Sequence, residues 1–242
     1  MTFFGSLNDM LVLAFDTSSK TVSVSLLRDQ VVIYETIVNR DINHSETLLA
    51  AIDEACRLSA LKIREVDLLA CTTGPGSFTG LRIGVSALKG LMLATGKPAA
   101  GVSSLAALAL NIETKGKIIG AMMDAGRGQV YLAYYQYETD GTLRQLTEAK
   151  ALDPNDLADQ HLSNVIYVGD GAVQYDAVIR NLLKNDDVIA PERQKFICAS
   201  AVGKLAIQKF QSNDLLDLKT CVPVYLRSAD VLPQKSIYCS NL

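Results

Sequence analysis

The chain has 242 residues, 49% hydrophobic and 20% charged, which excludes a disordered protein and leaves ample apolar side chain for a core. Its 23 Lys and Arg against 26 Asp and Glu give a net charge of −3, too little positive charge for a stand-alone binder of nucleic acid. No apolar run reaches the roughly 18–20 residues of a membrane helix. The five cysteines form no CxxC pair, which argues against a disulfide framework or thiolate zinc site and for reduced thiols in a cytosolic protein.

Residues 1–10 lack a basic start and a sustained apolar stretch, so they read as a leader rather than a signal peptide, with Met10 an alternative start. Leu11 to Thr17 is a near-continuous apolar run, the pattern of a buried strand. Thr21 to Leu27 alternates, with Val22, Val24 and Leu26 on one face and Thr21, Ser23 and Ser25 on the other, which predicts a half-buried strand. Val31 to Val38 follows a turn as a third strand, so the first three strands form an antiparallel meander. Asn43 and Glu46 have capping-box spacing, and Leu48, Leu49, Ile52, Ala55 and Cys56 then recur at helical spacing. Val66 to Cys71 reads as a buried strand, Gly80 to Ala94 as a helix, Ala99 to Val102 as a short strand and Ser103 to Asn111 as a third helix.

The order then begins again. Lys117 to Asp124, Gln129 to Tyr137 and Leu143 to Leu152 read as strands, Val165 to Val168 as a short strand, and helices follow through about Leu183 and over Ser200 to Phe210. No residue-level repeat accompanies this order, which predicts two related α/β lobes, 11–113 and 114–242, with a cleft between them and a weak link near Glu113 to Gly116.

Three segments are candidates for chemistry. Thr72 to Gly80 is a glycine-rich join from strand to helix that could present N–H groups to an anion at a helix N-terminus. Gly74, Gly76 and Gly80 do not make GxGxxG, and Gly80 is followed by Leu81-Arg82 rather than Lys-Ser/Thr, so neither familiar phosphate motif is present. A tight glycine turn is the competing reading. Asp16 with Thr17 and Ser18, just after a strand, could hold a metal–phosphate complex or form an Asx turn, and Asp124 with Arg127 has the same ambiguity. A Ser-His-Asp hydrolase is disfavoured: His44 and His161 are the two histidines, both read as solvated surface, and Ser77 is not in a G-x-S-x-G elbow. Two histidines far apart also argue against a histidine metal site.

Ala14 to Ser19 (AFDTSS), His44 to Leu49 (HSETLL) and Thr73 to Gly84 (TGPGSFTGLRIG) closely resemble the TsaB family. Met123 to Tyr131 resembles that family's second-lobe motif and Pro223 to Arg227 its C-terminal one, so the likeness runs over about Leu11 to Arg227. The resemblance implies an α/β, two-lobed actin/Hsp70-like fold with a mixed sheet in each lobe, and a bacterial, cytoplasmic protein. It implies a part in making threonylcarbamoyladenosine in tRNA beside the anticodon. The partners it implies are the catalytic paralogue TsaD and the ATPase TsaE, with a homodimer when alone and tRNA reached through the complex only. ATP would be used by the complex, no cofactor would be bound tightly here, and a separate synthase would supply the adenylate.

The paralogue's pair of metal-binding histidines, four apart, would fall at Ser104 and Leu108, which cannot replace them, so the resemblance implies a non-catalytic, metal-free subunit. It also implies that the first two helices meet the partner, through His44, Leu48, Ile52, Gly80, Leu81, Gly84, Val85 and Leu88, the Gly80–Gly84 spacing allowing close approach of a backbone. The competing reading has these rows face the chain's own sheet. On the first reading, Gly84→Glu or Val85→Arg abolishes pairing without unfolding. A vestigial nucleotide cleft would contain Asp16, Thr17, Ser18, Gly74, Gly76, Ser77, Asp124 and Arg127. The alternative function is a nucleotide-dependent kinase or ATPase of the same fold that uses Asp16 and Asp124.

Overall fold

The computed structural model describes residues 9–39, 44–160, 162–182 and 186–227. Asn43 and His161 lie outside them, and with them the proposed cap of the first helix and the reading of the second histidine. In chain order the first lobe has β1 (Leu11–Asp16), β2 (Val22–Arg28), β3 (Val31–Val38), α1 (His44–Leu58), β4 (Leu68–Gly74), α2 (Phe78–Thr95), β5 (Ala99–Ser103) and α3 (Ser104–Ala109). Then come β6 (Ile118–Gly126), β7 (Gln129–Tyr137), β8 (Leu143–Gln145), β9 (Lys150–Leu152), β10 (Val165–Val168), α4 (Asp170–Gln174), α5 (Asp176–Leu182), β11 (Val188–Ile189) and α6 (Ala199–Gln211).

The two sheets have the same plan. The first runs β3-β2-β1-β4-β5 and the second β8-β7-β6-β10-β11, with β9 also paired to β7. In each, the first strand pairs antiparallel with the second and parallel with a later one, as β1 does with β2 and β4, and β6 with β7 and β10. This is the two-lobed actin/Hsp70-like arrangement.

Burial explains the strand sequences. β1 is buried along its whole length. Leu11, Leu13 and Phe15 pack with Leu48, Ile52, Val85 and Leu88 of α1 and α2, while Val12 and Ala14 pack with Val202 and Ala206 of α6. A strand covered on both faces reads as continuous rather than alternating.

The structure corrects five expectations. β2 is not half-buried: Ser23 and Ser25 are fully enclosed, because α6 packs on the face they occupy. α6 itself was expected in the second lobe but packs on β1, β2 and β4 of the first sheet. Asp9 and Met10 are not leader: their amides donate to the Asp29 carboxylate, and Met10 packs against the core. The expected strand over 143–152 is two short ones, β8 and β9, and the helix after Val168 is broken at Tyr175 into α4 and α5.

Candidate functional site: the cleft between the lobes

A cavity of about 530 Å³ opens between the ends of β1, β4 and β6. Ser18, Ser19, Lys20, His44, Gly76, Ser77 and Phe78 line it from the first lobe. Asp124, Tyr131 and Asp170 line it from the second, and Tyr225 and Arg227 from the C-terminal segment.

The turn after β1 is built around Asp16, which is fully buried. Its Oδ1 accepts from the Ser18 amide at 3.0 Å and from the Ser18 and Thr72 hydroxyls. Its Oδ2 has no partner. Burial raises the Asp16 pKa, against the opposing pull of those bonds. Thr17 turns away from the cavity, and its hydroxyl donates to the Gly80 carbonyl at 2.7 Å.

The glycine-rich segment holds this turn. The Ser77 amide donates to the Ser18 carbonyl at 2.7 Å, and Ser77 Oγ caps α2 by accepting from the Gly80 amide at 3.3 Å. A β-carbon on Gly76 would overlap the Ser18 carbonyl, one on Gly80 would overlap the Thr17 carbonyl, and one on Gly84 would stand 2.5 Å from Thr17 Oγ1. The backbone that approaches these glycines therefore belongs to the chain itself.

Of the residues assigned to a nucleotide cleft, Ser18, Gly76, Ser77 and Asp124 meet at the cavity. Asp16, Thr17 and Gly74 are buried beneath or beside it, and Arg127 lies outside its lining. His44, assigned to a partner surface, faces the cleft instead, with Nε2 3.1 Å from the Ser19 carbonyl. Ser77 and His44 are thus each engaged elsewhere and do not form a nucleophile–base pair, whose members need mutual hydrogen-bond reach.

The other residues assigned to a partner surface are buried in the chain: Leu48, Ile52, Gly80, Leu81, Gly84, Val85 and Leu88. The sheet-facing reading of these rows is the correct one, and a charge at Gly84 or Val85 would enter the core and disrupt the fold. The outward rows of the same helices carry Leu49, Asp53 and Leu58 on α1, and Arg82, Ser86, Gly90 and Leu93 on α2. Leu49, Leu58 and Leu93 are 59%, 57% and 70% exposed.

Sequence reasoning missed Lys20, Tyr131, Asp170, Tyr225 and Arg227 as cleft residues. Asp170 had a signal: Gly169-Asp170-Gly171 follows β10 as the glycine-rich turn follows β4. Its Oδ1 accepts from the Asp124 amide at 3.0 Å, and burial raises its pKa. Ser104 and Leu108, where the paralogue's histidines would fall, are both fully buried in α3, with Ser104 Oγ unpartnered. A leucine offers no donor, so these residues do not fit a metal.

Residues 35–230 match the family model of TsaD, tRNA N6-adenosine threonylcarbamoyltransferase. The chain is 31% identical over 224 residues to the tRNA threonylcarbamoyladenosine biosynthesis protein TsaB of Bacillus subtilis, covering 91% of this chain and 96% of that one. It is 28% identical over 228 residues to the protein of that description from Escherichia coli, covering 90% and 95%. The solved structure of YeaZ from Pseudomonas aeruginosa superposes with a TM-score of 0.78 at 25% identity, covering 90% of this chain and 100% of that one.

Proposed function

The chain belongs to the TsaB family, and from that premise we propose that it serves the formation of threonylcarbamoyladenosine in tRNA as a non-catalytic subunit. The observation that carries the reading is the match to the Bacillus subtilis TsaB over 91% of this chain and 96% of that one. The site supports the non-catalytic part: Ser77 and His44 are not paired, Asp16 is buried, and Ser104 and Leu108 cannot hold a metal. The buried Asp16 also weakens the kinase or ATPase alternative, which needs that carboxylate in the cleft.

The partner is the catalytic paralogue TsaD, with the ATPase TsaE joining the assembly and a homodimer forming when the chain is alone. tRNA is reached through the complex, as suits a chain of net charge −3. The complex consumes ATP, while this chain binds no cofactor tightly and works in the cytoplasm. Among the described residues no helix is long and apolar enough to cross a membrane. The contact surface is the outward side of α1 and α2, where three exposed leucines stand among small and charged residues.

The test is a leave-one-out reconstitution with purified TsaD, TsaE and the adenylate synthase, given tRNA, threonine, bicarbonate and ATP. Modified adenosine should require this chain, and the chain alone should modify nothing. Modification that proceeds equally without it defeats the reading. Ser86→Glu and Leu93→Arg place charge on the outward row and should abolish co-purification with TsaD while circular dichroism stays unchanged. Wild-type yields of the pair would move the interface elsewhere.

A further inference from the structure

We infer that Val224 to Arg227 form a latch that crosses the cleft and sets how far the two lobes stand apart. The inference goes beyond the role proposed above and does not depend on it, because it rests on contacts within this chain. After α6 the chain returns along the first sheet, where the Leu216 amide donates to the Ala99 carbonyl at 2.8 Å. It then reaches the end of β4, where the Val224 amide donates to the Thr73 carbonyl at 2.7 Å. Gly74 leaves room for this: a β-carbon there would overlap the Val224 carbonyl.

The next residues cross to the second lobe. The Tyr225 ring packs on Phe78 at the start of α2, with ring centroids 4.9 Å apart, and its hydroxyl accepts from Arg82 Nε at 3.2 Å. The Arg82 guanidinium in turn stacks 3.7 Å from the centre of the Phe78 ring. Two residues on, Arg227 Nη1 donates to the Ala125 carbonyl at 3.1 Å, to the Gln129 side-chain oxygen at 3.3 Å and to the Gly126 carbonyl at 3.5 Å. Four consecutive residues thus grip the end of β4 and the start of α2 in one lobe, and the β6–β7 turn in the other.

Tyr225 and Arg227 also line the cavity, and the turn Arg227 holds is continuous with Asp124. Whatever enters the cleft therefore meets the latch. Arg82 stands on the outward row of α2, so the same stack joins the cleft to that surface. A guanidinium suits the far end because its fork serves several fixed acceptors at once, which a lysine ammonium does with less order.

The test uses the full chain, diluted with unlabelled chain so that only distances within one copy are read, with spin labels on unnatural side chains at Gln30 and Glu148, exposed positions on the two lobes and off the outward rows of α1 and α2, so that native cysteines stay unmodified. Pulsed dipolar spectroscopy compares the interlobe distance in the parent and in Arg227→Ala. The expected result is a second, longer population in Arg227→Ala, a smaller one in Arg227→Lys, and exchange of the Gly126 to Gln129 amides about tenfold faster. A distance distribution in folded Arg227→Ala that superimposes on the parent's overturns the inference, whatever the local exchange. Should Arg227→Ala fail to fold, Arg227→Lys is judged by the same distance: an unchanged distribution overturns the latch and a lengthened one supports it.

Discussion

Gly80→Ala is expected to destabilise the chain, although the same change inside an ordinary helix stabilises it. Gly80 is buried in the first turn of α2. An added β-carbon would overlap the Thr17 carbonyl oxygen and stand 3.1 Å from the carbonyl carbon. These are backbone atoms, so no change of rotamer relieves the overlap. The turn after β1 and the start of α2 must separate, straining the Thr17–Gly80 and Ser77–Ser18 hydrogen bonds, both 2.7 Å long. Overpacking costs about 1–3 kcal/mol. Each buried hydrogen bond lost adds about 1 kcal/mol. Gain in helix propensity offsets about 1 kcal/mol of this. The net loss is about 2–4 kcal/mol, a fall in Tm of roughly 5–15 °C for a chain of this size. Gly90→Ala is the control: it lies in the same helix with nothing of its own chain within 4 Å of the added carbon, and at a dilution that keeps the chain monomeric it should gain about 0.5–1 kcal/mol. Thermal unfolding followed by circular dichroism compares the three proteins. A Tm for Gly80→Ala at or above the parent's, or a parallel fall in Gly90→Ala, refutes the argument.

Asp16→Asn should change the pH dependence of stability in a set direction. Burial raises the Asp16 pKa above its ordinary 3.8, so the native state holds that proton more tightly than the unfolded one and pays for the ionised form at higher pH. The urea midpoint of the variant relative to the parent should therefore rise from pH 4 to 7, and a constant difference would rule this out. Glu35→Ala should cost about 0.5–1 kcal/mol, because Glu35 accepts from the Ser200 amide at 2.8 Å and supplies α6 with the cap that Cys198 does not; Glu35→Gln, which keeps an acceptor, should lose less, and equal urea midpoints for both would exclude capping. Cys71 is fully buried and its thiol is pushed well above its ordinary range, so alkylation mapped by mass spectrometry should leave it unlabelled until unfolding while half-buried Cys56 reacts in the native state. Labelling of native Cys71 at the rate of Cys56 would show that the core between the first sheet and α1 and α2 opens readily.

Element order was readable because the apolar pattern records burial. Leu11 to Asp16 reads as continuous since helices cover both faces, and the doubled order of strands and helices foretold two lobes. The same signal misled at β2. Ser23 and Ser25 look like a solvent face, but α6 covers them, and nothing within Val22 to Arg28 announces a helix almost 180 residues later. The partner rows failed for a related reason. On an amphipathic helix the strongest apolar row faces the chain's own sheet, so Leu81, Val85 and Leu88 are buried in the core and not open to a partner. The outward row of α2 carries Arg82, Ser86 and Gly90 before its one leucine, Leu93, too sparse an apolar pattern for periodicity to pick out. In the cleft, Tyr225 and Arg227 reach Phe78 and Ala125 across more than a hundred residues of sequence, a separation periodicity does not bridge.

The glycine-rich turn shows why a phosphate-loop reading came naturally and where it stops. A loop that offers backbone N–H groups at a helix N-terminus can take an anion. Here the Ser77 amide is already given to Ser18, the Gly80 amide to Ser77, and the space above Gly76, Gly80 and Gly84 to Thr17 and Ser18. The second lobe repeats the device: a β-carbon on Gly169 would overlap the Met122 carbonyl, and one on Gly171 would stand 2.9 Å from the Met123 carbonyl carbon. In both lobes, then, the turn after the strand that runs parallel to the first clasps the first strand or the turn that follows it. Glycines repeated at equivalent places against the chain's own backbone are explained by packing in each lobe, without a ligand. What distinguishes the cleft is the set of side chains at its rim, where Lys20, Asp124, Asp170 and Arg227 meet around an opening that the C-terminal segment spans.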